Sequence, residues 1–591
     1  MSGRQRHPAF VSSLAADAAN VEAFEKHRAS VSTSSTFVFC NRPGPVHRVM
    51  RRAAMVAGLT LATMAPAWAQ PIDPARLSAD VKTLASDAFE GRAPVTRGEE
   101  TTVQWLVERF KALGLEPGGP GGSWTQPVPL VHTRLQPGTV RIGDATLTQG
   151  QGIYLSTVRP VDRAAIADAP MVFVGYGVSA PERGWDDFKQ VDLKGKVAVF
   201  LVNDPDFEAG AGDAAKGVFG DRRMTYYGRW TYKFEEAARR GAIAALIVHD
   251  TPGAGYGWDT VTAPGGENYD IVRKAPDERV LLQGWLRGEE ATALFAASGL
   301  DLAKLRVAAR QKSFAPVMLK QRLSTDLTVQ HETAESRNVI AKRTGKAAPD
   351  EVVMFGAHWD AYGIGKPDAQ GRTVRPGAND DALGVAGVLE LARLFSAAPA
   401  PDRTLVFALW TGEERGLLGS ETYAVNPVYA PGKTVANLTL DILQTAGPAR
   451  DVLLVGAGQN SLEGLLAEAA KDQKRAITPE ALPERGLFYR ADHFSLARRG
   501  VPTLLLMAIS GAPDLVQGGR TAGQAWLDSY MRCYHQACDA WDARWDLTGA
   551  AADVALFYTI GDRLARSRLW PEWSNESEFA GVRAETVGER R

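Results

Sequence analysis

Residues 352–365 read VVMFGAHWDAYGIG, residues 375–395 read RPGANDDALGVAGVLELARLF, and residues 404–419 read TLVFALWTGEERGLLG. Polar clusters sit where the hydrophobic segments end: His358 with Asp360, the Asp380-Asp381 pair, and the Glu413-Glu414 pair. VVMFGA is a short apolar run of β-branched and aromatic type, which predicts a buried strand emptying into His358 and Asp360. Residues two apart on a strand project to one face, so these two can address the same space. Pro376 and Gly377 mark a turn ahead of Asn379, Asp380 and Asp381, and an Ala/Leu/Val pattern then predicts a helix to about Phe395. The acids therefore lie at a helix N-terminus, where free N–H groups and the dipole favour a carboxylate. TLVFALW predicts a second buried strand, which delivers Glu413 and Glu414. In open α/β sheets ligands gather beyond the carboxyl ends of strands, and both strands obey that rule. An imidazole and several carboxylates are what borderline and hard divalent cations take, so the stretch reads as a metal site.

Two metals sharing a bridging carboxylate need about five side chains. Downstream, ANLTLDIL offers Asp441 inside another apolar run, and YHQACDAWD offers His535. Taken together, the HWD of residues 358–360, the GANDD of 377–381, the GEE of 412–414, the NLTLD ending at Asp441, the ADHF of 491–494 and the YHQACD of 534–539 resemble the M28 metallopeptidases, zinc aminopeptidases of the kind found in bacterial secretions. Each motif alone has a plainer reading. An HxD on a strand is commonly a satisfied polar pair, a Glu-Glu pair a solvated helix start, and a lone histidine structural. All of them in family order is a much more specific signal.

The resemblance implies an α/β fold, a mixed central sheet flanked by helices, with an inserted β-rich protease-associated domain. It also implies roles position by position. Asp380 would bridge two zinc ions, His358 and Asp441 would complete one, and Glu414 with His535 the other. Glu413 would be the general base, and Asp360 would orient His358 from behind. Family members also join the bridging aspartate to its successor by a cis peptide, here Asp380-Asp381, and often place a tyrosine upstream of the Asp-His segment to polarise the reaction intermediate. Tyr489 is the tyrosine in that neighbourhood. His493 is not a ligand in this resemblance, and a pocket-lining or structural role is expected. Arg490 is open to two readings, a surface arginine or a contact for a substrate carboxylate.

At 591 residues the chain exceeds one typical domain. A hydrophobic content of 45% and a charged content of 23% are those of an ordinary globular protein. The formal net charge of -1 gives no case for nucleic acid or an anionic membrane as partner. Three cysteines are too few for a disulfide scaffold. Cys533 and Cys538 flank His535 and could bridge in an oxidising compartment, or remain two buried thiols.

Residues 1–49 are rich in Ser, Ala, Arg and His without sustained periodicity and read as an extension outside the fold. Met50-Arg51-Arg52 is a basic start, Ala53 to Met64 an apolar run, and Ala67-Trp68-Ala69 a small-x-small cleavage site. Together they predict an export signal over 50–69, cleavage after Ala69, a periplasmic or secreted mature protein, and no stable membrane insertion afterwards. Residues 70–155 then read as the first part of the peptidase domain, with two helices around the loop Phe89-Glu90-Gly91-Arg92, and Gly114 ending the second. The loop resembles the EGR segment of secreted family members, but its local meaning is a turn. From about residue 156 to 310 the texture changes to short β runs such as MVFVGYGV, KVAVFLVN and AALIVHD, which resemble a protease-associated insertion. Residues 311–575 resume the catalytic part, and 576–591 form a polar tail.

The expected activity is that of an exported di-zinc exopeptidase, most of all an aminopeptidase acting on peptides. A carboxypeptidase or dipeptidase on the same centre is the first rival and would need a cationic anchor such as Arg490. A glutaminyl-cyclase-like acyltransferase with one zinc is the second. A non-catalytic receptor relative would be expected to have lost ligands or base, and neither is lost here.

Overall fold

A computed structural model describes residues 72–275 and 278–590. The export signal expected at 50–69, and the extension before it, lie outside the described residues. No helix among the described residues is long and apolar enough to cross a membrane.

Three of the apolar runs read from sequence become parallel neighbours in the sheet, Thr434–Leu440, Ala348–His358 and Arg403–Trp410, and Thr503–Leu506 adds a fourth beyond Thr434–Leu440. Arg403–Trp410 is buried at every position, as expected of a parallel strand covered on both faces. The alternation is strict. Val353, Phe355 and Ala357, with Leu405, Phe407 and Leu409, face one core. Val352 and Met354, with Val406, Ala408 and Trp410, face the other. Helices Pro74–Leu84, Leu383–Ala397 and Thr548–Arg566 cover the first face, and Leu418–Val425 with His493–Ala497 lie on the second side. Because the strands run parallel, His358, Glu413 and Asp441 leave the same edge of the sheet.

The strand Val317–Arg343, 27 residues long, joins this sheet to the rest. Its end, Val339–Arg343, pairs antiparallel with Arg403–Trp410, its middle with Thr125–Leu135, and its start with Arg163–Phe173. Beyond Arg163–Phe173 the order continues through Val197–Leu201, Ala244–His249 and Leu282–Arg287 to Ile153–Ser156. One core of this β-rich part is its own and another runs on into Leu487, Phe488, Phe494 and Leu505 of the catalytic part, with Phe173 edge-on to Phe295 and Phe314 at 5.1 and 5.9 Å. A division at 156 and 310 falls inside its sheet, which already includes Ile153–Ser156 and takes in Val317–Thr328 of the long strand. Alternating runs announce strands, but which sheet a strand joins is decided by partners far away in sequence.

The polar tail expected over 576–591 is corrected by the structure. Arg583 is 1% exposed and donates to the carbonyls of Pro431 and Thr434 at 3.0 and 3.1 Å. Phe579 packs on Trp573 at 5.0 Å, Glu589 accepts from the Gly432 amide at 3.1 Å, and Glu578 accepts from the Tyr489 hydroxyl at 2.7 Å. Composition alone shows a polar stretch, but these charges satisfy backbone and hydroxyl groups of the catalytic part.

Candidate metal centre

Five of the side chains expected at the centre converge. Asp380 lies between two imidazoles: its Oδ1 is 3.2 Å from His358 Nε2 and its Oδ2 is 3.1 Å from His535 Nε2. His535 Nε2 is also 3.2 Å from Glu414 Oε2, and His358 Nε2 is 3.9 Å from Asp441 Oδ1. Glu413 Oε2 stands 4.0 Å from His358 Nε2. Ligand atoms of His358, Asp381 and Asp441 lie within 4.8 Å of one another, as do those of Asp380, Glu414 and His535.

Asp381 and Asp380 both compete for the first group, and their hydrogen bonds separate them. The Asp381 carboxylate already accepts three backbone amides, from His358 at 3.2 Å, Gly384 at 3.0 Å and Ile442 at 3.3 Å. Asp380 Oδ2, Asp441 Oδ1 and Glu414 Oε1 are buried and accept no hydrogen bond. Buried carboxylate oxygens without donors, set among imidazole nitrogens, fit a divalent cation of zinc's preferences better than they fit a closed polar core.

The supporting contacts fix how these groups point. His358 Nδ1 is 3.1 Å from the Asp360 carbonyl and 3.6 Å from its carboxylate, which leaves Nε2 facing the cluster. Asp360 Oδ1 accepts the Glu413 amide at 3.0 Å, so the residue expected to orient the histidine also holds the backbone of Glu413. His535 Nδ1 meets the Tyr362 hydroxyl at 3.0 Å. The Asp539 carboxylate accepts the amides of Asn379 and Asp380 at 3.0 and 3.1 Å, locking the turn that presents Asp380. The Asp380-Asp381 peptide is cis. Gly377 takes φ +52° there, and a Cβ on it would lie 2.2 Å from the Asp380 carbonyl. Cys533 and Cys538 are joined by a disulfide across the loop that carries His535.

Arg92, the end of the EGR loop, has a role that its local sequence does not show. It is fully buried and donates to the carbonyls of Trp359 at 2.8 Å, Leu84 at 2.9 Å, Pro376 at 2.6 Å and Gly377 at 2.8 Å. Burial lowers its pKa to about 10, against the pull of Asp360, Asp539, Asp381 and Asp380.

Tyr489 is a correction. Its hydroxyl donates to Glu578 at 2.7 Å, and its ring packs against Phe488, Phe494 and Tyr226 at 5.3, 5.4 and 6.2 Å. Besides Tyr362, Tyr534 stands at the cluster, its ring 3.6 Å from that of His535. Burial, with Asp380, Glu414 and Glu413 nearby, holds its hydroxyl well above the usual phenol range, while Arg490 pulls it down. The signal available in sequence was its place beside His535. His493 is fully buried against Phe488 at 4.8 Å, and burial lowers its pKa to about 3, so it stays neutral. Both carboxylate oxygens of Asp492 are buried, and burial raises its pKa to about 7, with His358 pulling it down and Asp360 and Asp441 adding to the rise.

Crowding of carboxylates sets the electrostatics among the side chains of the centre. Burial raises Asp441 to about 7 and Glu414 to about 8, with His358 and His535 pulling them down. His358 is held well above its ordinary value: burial opposes its charge, but Glu413, Asp360 and Asp380 favour it more. For groups raised in the folded chain, the unfolded chain releases its protons first, so stability is present at low pH and lost as pH rises toward the folded values. The chelated protein is therefore expected to lose stability, on the order of a few kcal/mol, between about pH 5 and pH 8. Zinc-loaded protein should show the reverse trend, because ligands bind a cation in their deprotonated forms. Urea midpoints at several pH values, with and without metal, measure both.

Residues 338–559 match the profile of Peptidase family M28. Among curated relatives, aminopeptidase Y of Saccharomyces cerevisiae is 29% identical over 224 residues, covering 36% of this chain and 37% of that protein. A probable zinc metalloprotease of Pyrenophora teres f. teres is 41% identical over 105 residues, 18% of this chain and 22% of that one. The chain thus spans well under half the length of these relatives. Among solved structures, the aminopeptidase from Aneurinibacillus sp. strain AM-1 aligns over 84% of this chain and 95% of its own, at 21% identity and a TM-score of 0.45. The segment 338–559, which carries His358, Asp380, Glu413, Glu414, Asp441 and His535, belongs to peptidase family M28.

Proposed function

We propose that the chain is a zinc-dependent exopeptidase, an aminopeptidase that removes N-terminal residues from peptides, and that it works outside the cytoplasm after export directed by residues 50–69. The observation that carries the reading is Asp380, with one carboxylate oxygen at each of two histidines and Glu413 beside them. Asp380, His358 and Asp441 would hold one zinc ion, and Asp380, Glu414 and His535 the other. Bound there, the ions supply an acidified water and a polarised carbonyl.

The chain's own residues do the rest. Glu413 takes a proton from the attacking water and delivers it to the leaving amine. Burial among Asp441, Glu414 and Asp492 raises its affinity for that proton, while the His358 charge lowers it. Asp360 keeps Glu413 in place through the 3.0 Å bond to its amide. Tyr534 takes the role that the family resemblance suggested for Tyr489: its hydroxyl donates to the oxygen on which negative charge develops. Tyr362 and Asp539 position His535 and Asp380 respectively.

Cleavage of aminoacyl-p-nitroanilides but not of their N-acetylated counterparts by the zinc-loaded mature protein is the expected result. Indifference to acetylation, or no cleavage of either set, counts against an aminopeptidase. Two zinc ions per chain by elemental analysis separate this reading from a single-zinc acyltransferase. Replacing Tyr534 by Phe should lower kcat about 10- to 100-fold with little change in zinc content, because one donor to the developing charge is lost while the ligands remain. Tyr489→Phe should leave kcat within about twofold and act on stability through Glu578 instead.

A further inference from the structure

Of the proposed zinc ligands, His535 is the one carried on a turn, past the end of helix Gly519–Met531, while the others leave strand ends or a helix start. A ligand on a turn needs its ring held by other side chains. His535 turns Nε2 to Asp380 and Glu414, so a neutral ring that binds a cation there carries its proton on Nδ1 and donates it to the Tyr362 oxygen at 3.0 Å. The two rings also pack, with centroids 4.6 Å apart. Whatever fixes Tyr362 therefore helps to fix His535.

Over Tyr362 lies Arg415, its guanidinium carbon 5.2 Å from the ring centre. The same guanidinium lies over the ring of Tyr269 at 5.3 Å, and Tyr269 is stacked in turn on His132 at 4.6 Å. A run of planar groups, His132, Tyr269, Arg415, Tyr362 and His535, thus leads to the proposed ligand. The Arg415 guanidinium makes no hydrogen bond or ion pair among the described residues, so the two rings are the directed contacts that place it. Its backbone is seated as well. The Gly416 amide donates to the Glu413 carbonyl at 2.9 Å, and Leu418 is buried with Val128, Leu130 and Ile271, with Tyr269 packed against them.

Tyr269 enters from the segment that reads as an insertion. Its strand, Glu267–Ile271, pairs antiparallel with Thr125–Leu135, Tyr269 opposite His132, and Thr125–Leu135 pairs with the long strand Val317–Arg343. The insertion thereby returns one strand toward the sheet that carries the ligands. Resting on the reading of the metal centre, we propose that Arg415 and Tyr269 are positioning residues for the zinc ion held by His535, so that the inserted strand sets how tightly that ion is retained. The ion at His358 and Asp441 is indifferent to them, because His358 Nδ1 is held by the Asp360 carbonyl, two residues along its own chain.

The test is release of zinc from the zinc-loaded protein to an excess of a coloured chelator, well below the melting temperature. One of the two ions should leave about tenfold faster from Arg415→Met and from Tyr269→Ala, with the other unchanged. Tyr269→Phe should restore the unsubstituted rate, since the ring face is kept. Both substitutions together should act little more than either alone, because both cut the same run. Arg415 satisfies no hydrogen-bonding group, so Arg415→Met carries the test even where Tyr269→Ala does not fold. Unchanged release of both ions from Arg415→Met, equal acceleration of both, or a Tyr269→Phe protein as leaky as Tyr269→Ala overturns the proposal. An unsubstituted chain that holds a single ion overturns the two-ion reading and this proposal with it, and that count, taken before any variant is compared, tells the two failures apart.

Discussion

Replacing Glu413 by Gln is expected to lower kcat about 10²- to 10⁴-fold while leaving KM and zinc content close to those of the unsubstituted protein. The side chains are isosteric, and the backbone of residue 413 stays anchored by its amide to Asp360 Oδ1 at 3.0 Å. What is lost is the capacity to accept a proton at a point 4.0 Å from His358 Nε2. Glu414→Gln provides the contrast. Glu414 lies 3.2 Å from His535 Nε2 and carries a buried oxygen without a hydrogen bond, so weakening it should deplete zinc before it slows chemistry. Steady-state kinetics with elemental analysis on both variants separate the two roles. A Glu413→Gln protein that retains kcat within about tenfold would remove Glu413 as the base.

What could be read from the chain, and what could not, follows from where the determining partners sit. The strands ending at His358, Trp410 and Leu440 were legible because parallel strands are buried on both faces and show as unbroken apolar runs. The residues at their ends stood out as polar groups where such runs stop, and the spacing of two in His358 and Asp360 needs only strand periodicity. Arg92, by contrast, lies 267 residues from Trp359 and 285 from Gly377, and nothing in the local pattern of its loop reveals four distant carbonyls. Tyr489 misled for the same reason. Its hydroxyl is engaged by Glu578, 89 residues further on, in a stretch whose composition shows only polarity. Tyr534 was hidden in plain view, since adjacency to His535 places a ring but does not say whether its hydroxyl faces the cluster. The division of the chain at 156 and 310 missed the sheet boundary because Val317–Arg343 serves both parts without a break.

Arg92→Met is expected to cost about 3–5 kcal/mol of stability, the range for breaking a buried, hydrogen-bonded charge. Methionine roughly fills the volume but leaves the carbonyls of Leu84, Trp359, Pro376 and Gly377 without donors in a place water does not reach. Arg92→Lys keeps the charge and loses the fork, so it should recover only part of the loss. The effect should also reach the metal. Trp359 lies between His358 and Asp360, and Pro376 and Gly377 lead into Asp380, so one guanidinium ties both halves of the proposed ligand set to the first helices of the chain. A purely structural role predicts lower stability with zinc affinity unchanged in the protein that remains folded. A positioning role predicts weaker zinc binding at temperatures well below the melting transition. Leu106→Ala, a core substitution on the second helix of the chain, is the control, since it removes a fully buried side chain without touching the site. At equal loss of stability, Arg92→Met should release zinc to a competing chelator faster than Leu106→Ala, and equal rates would confine Arg92 to the fold.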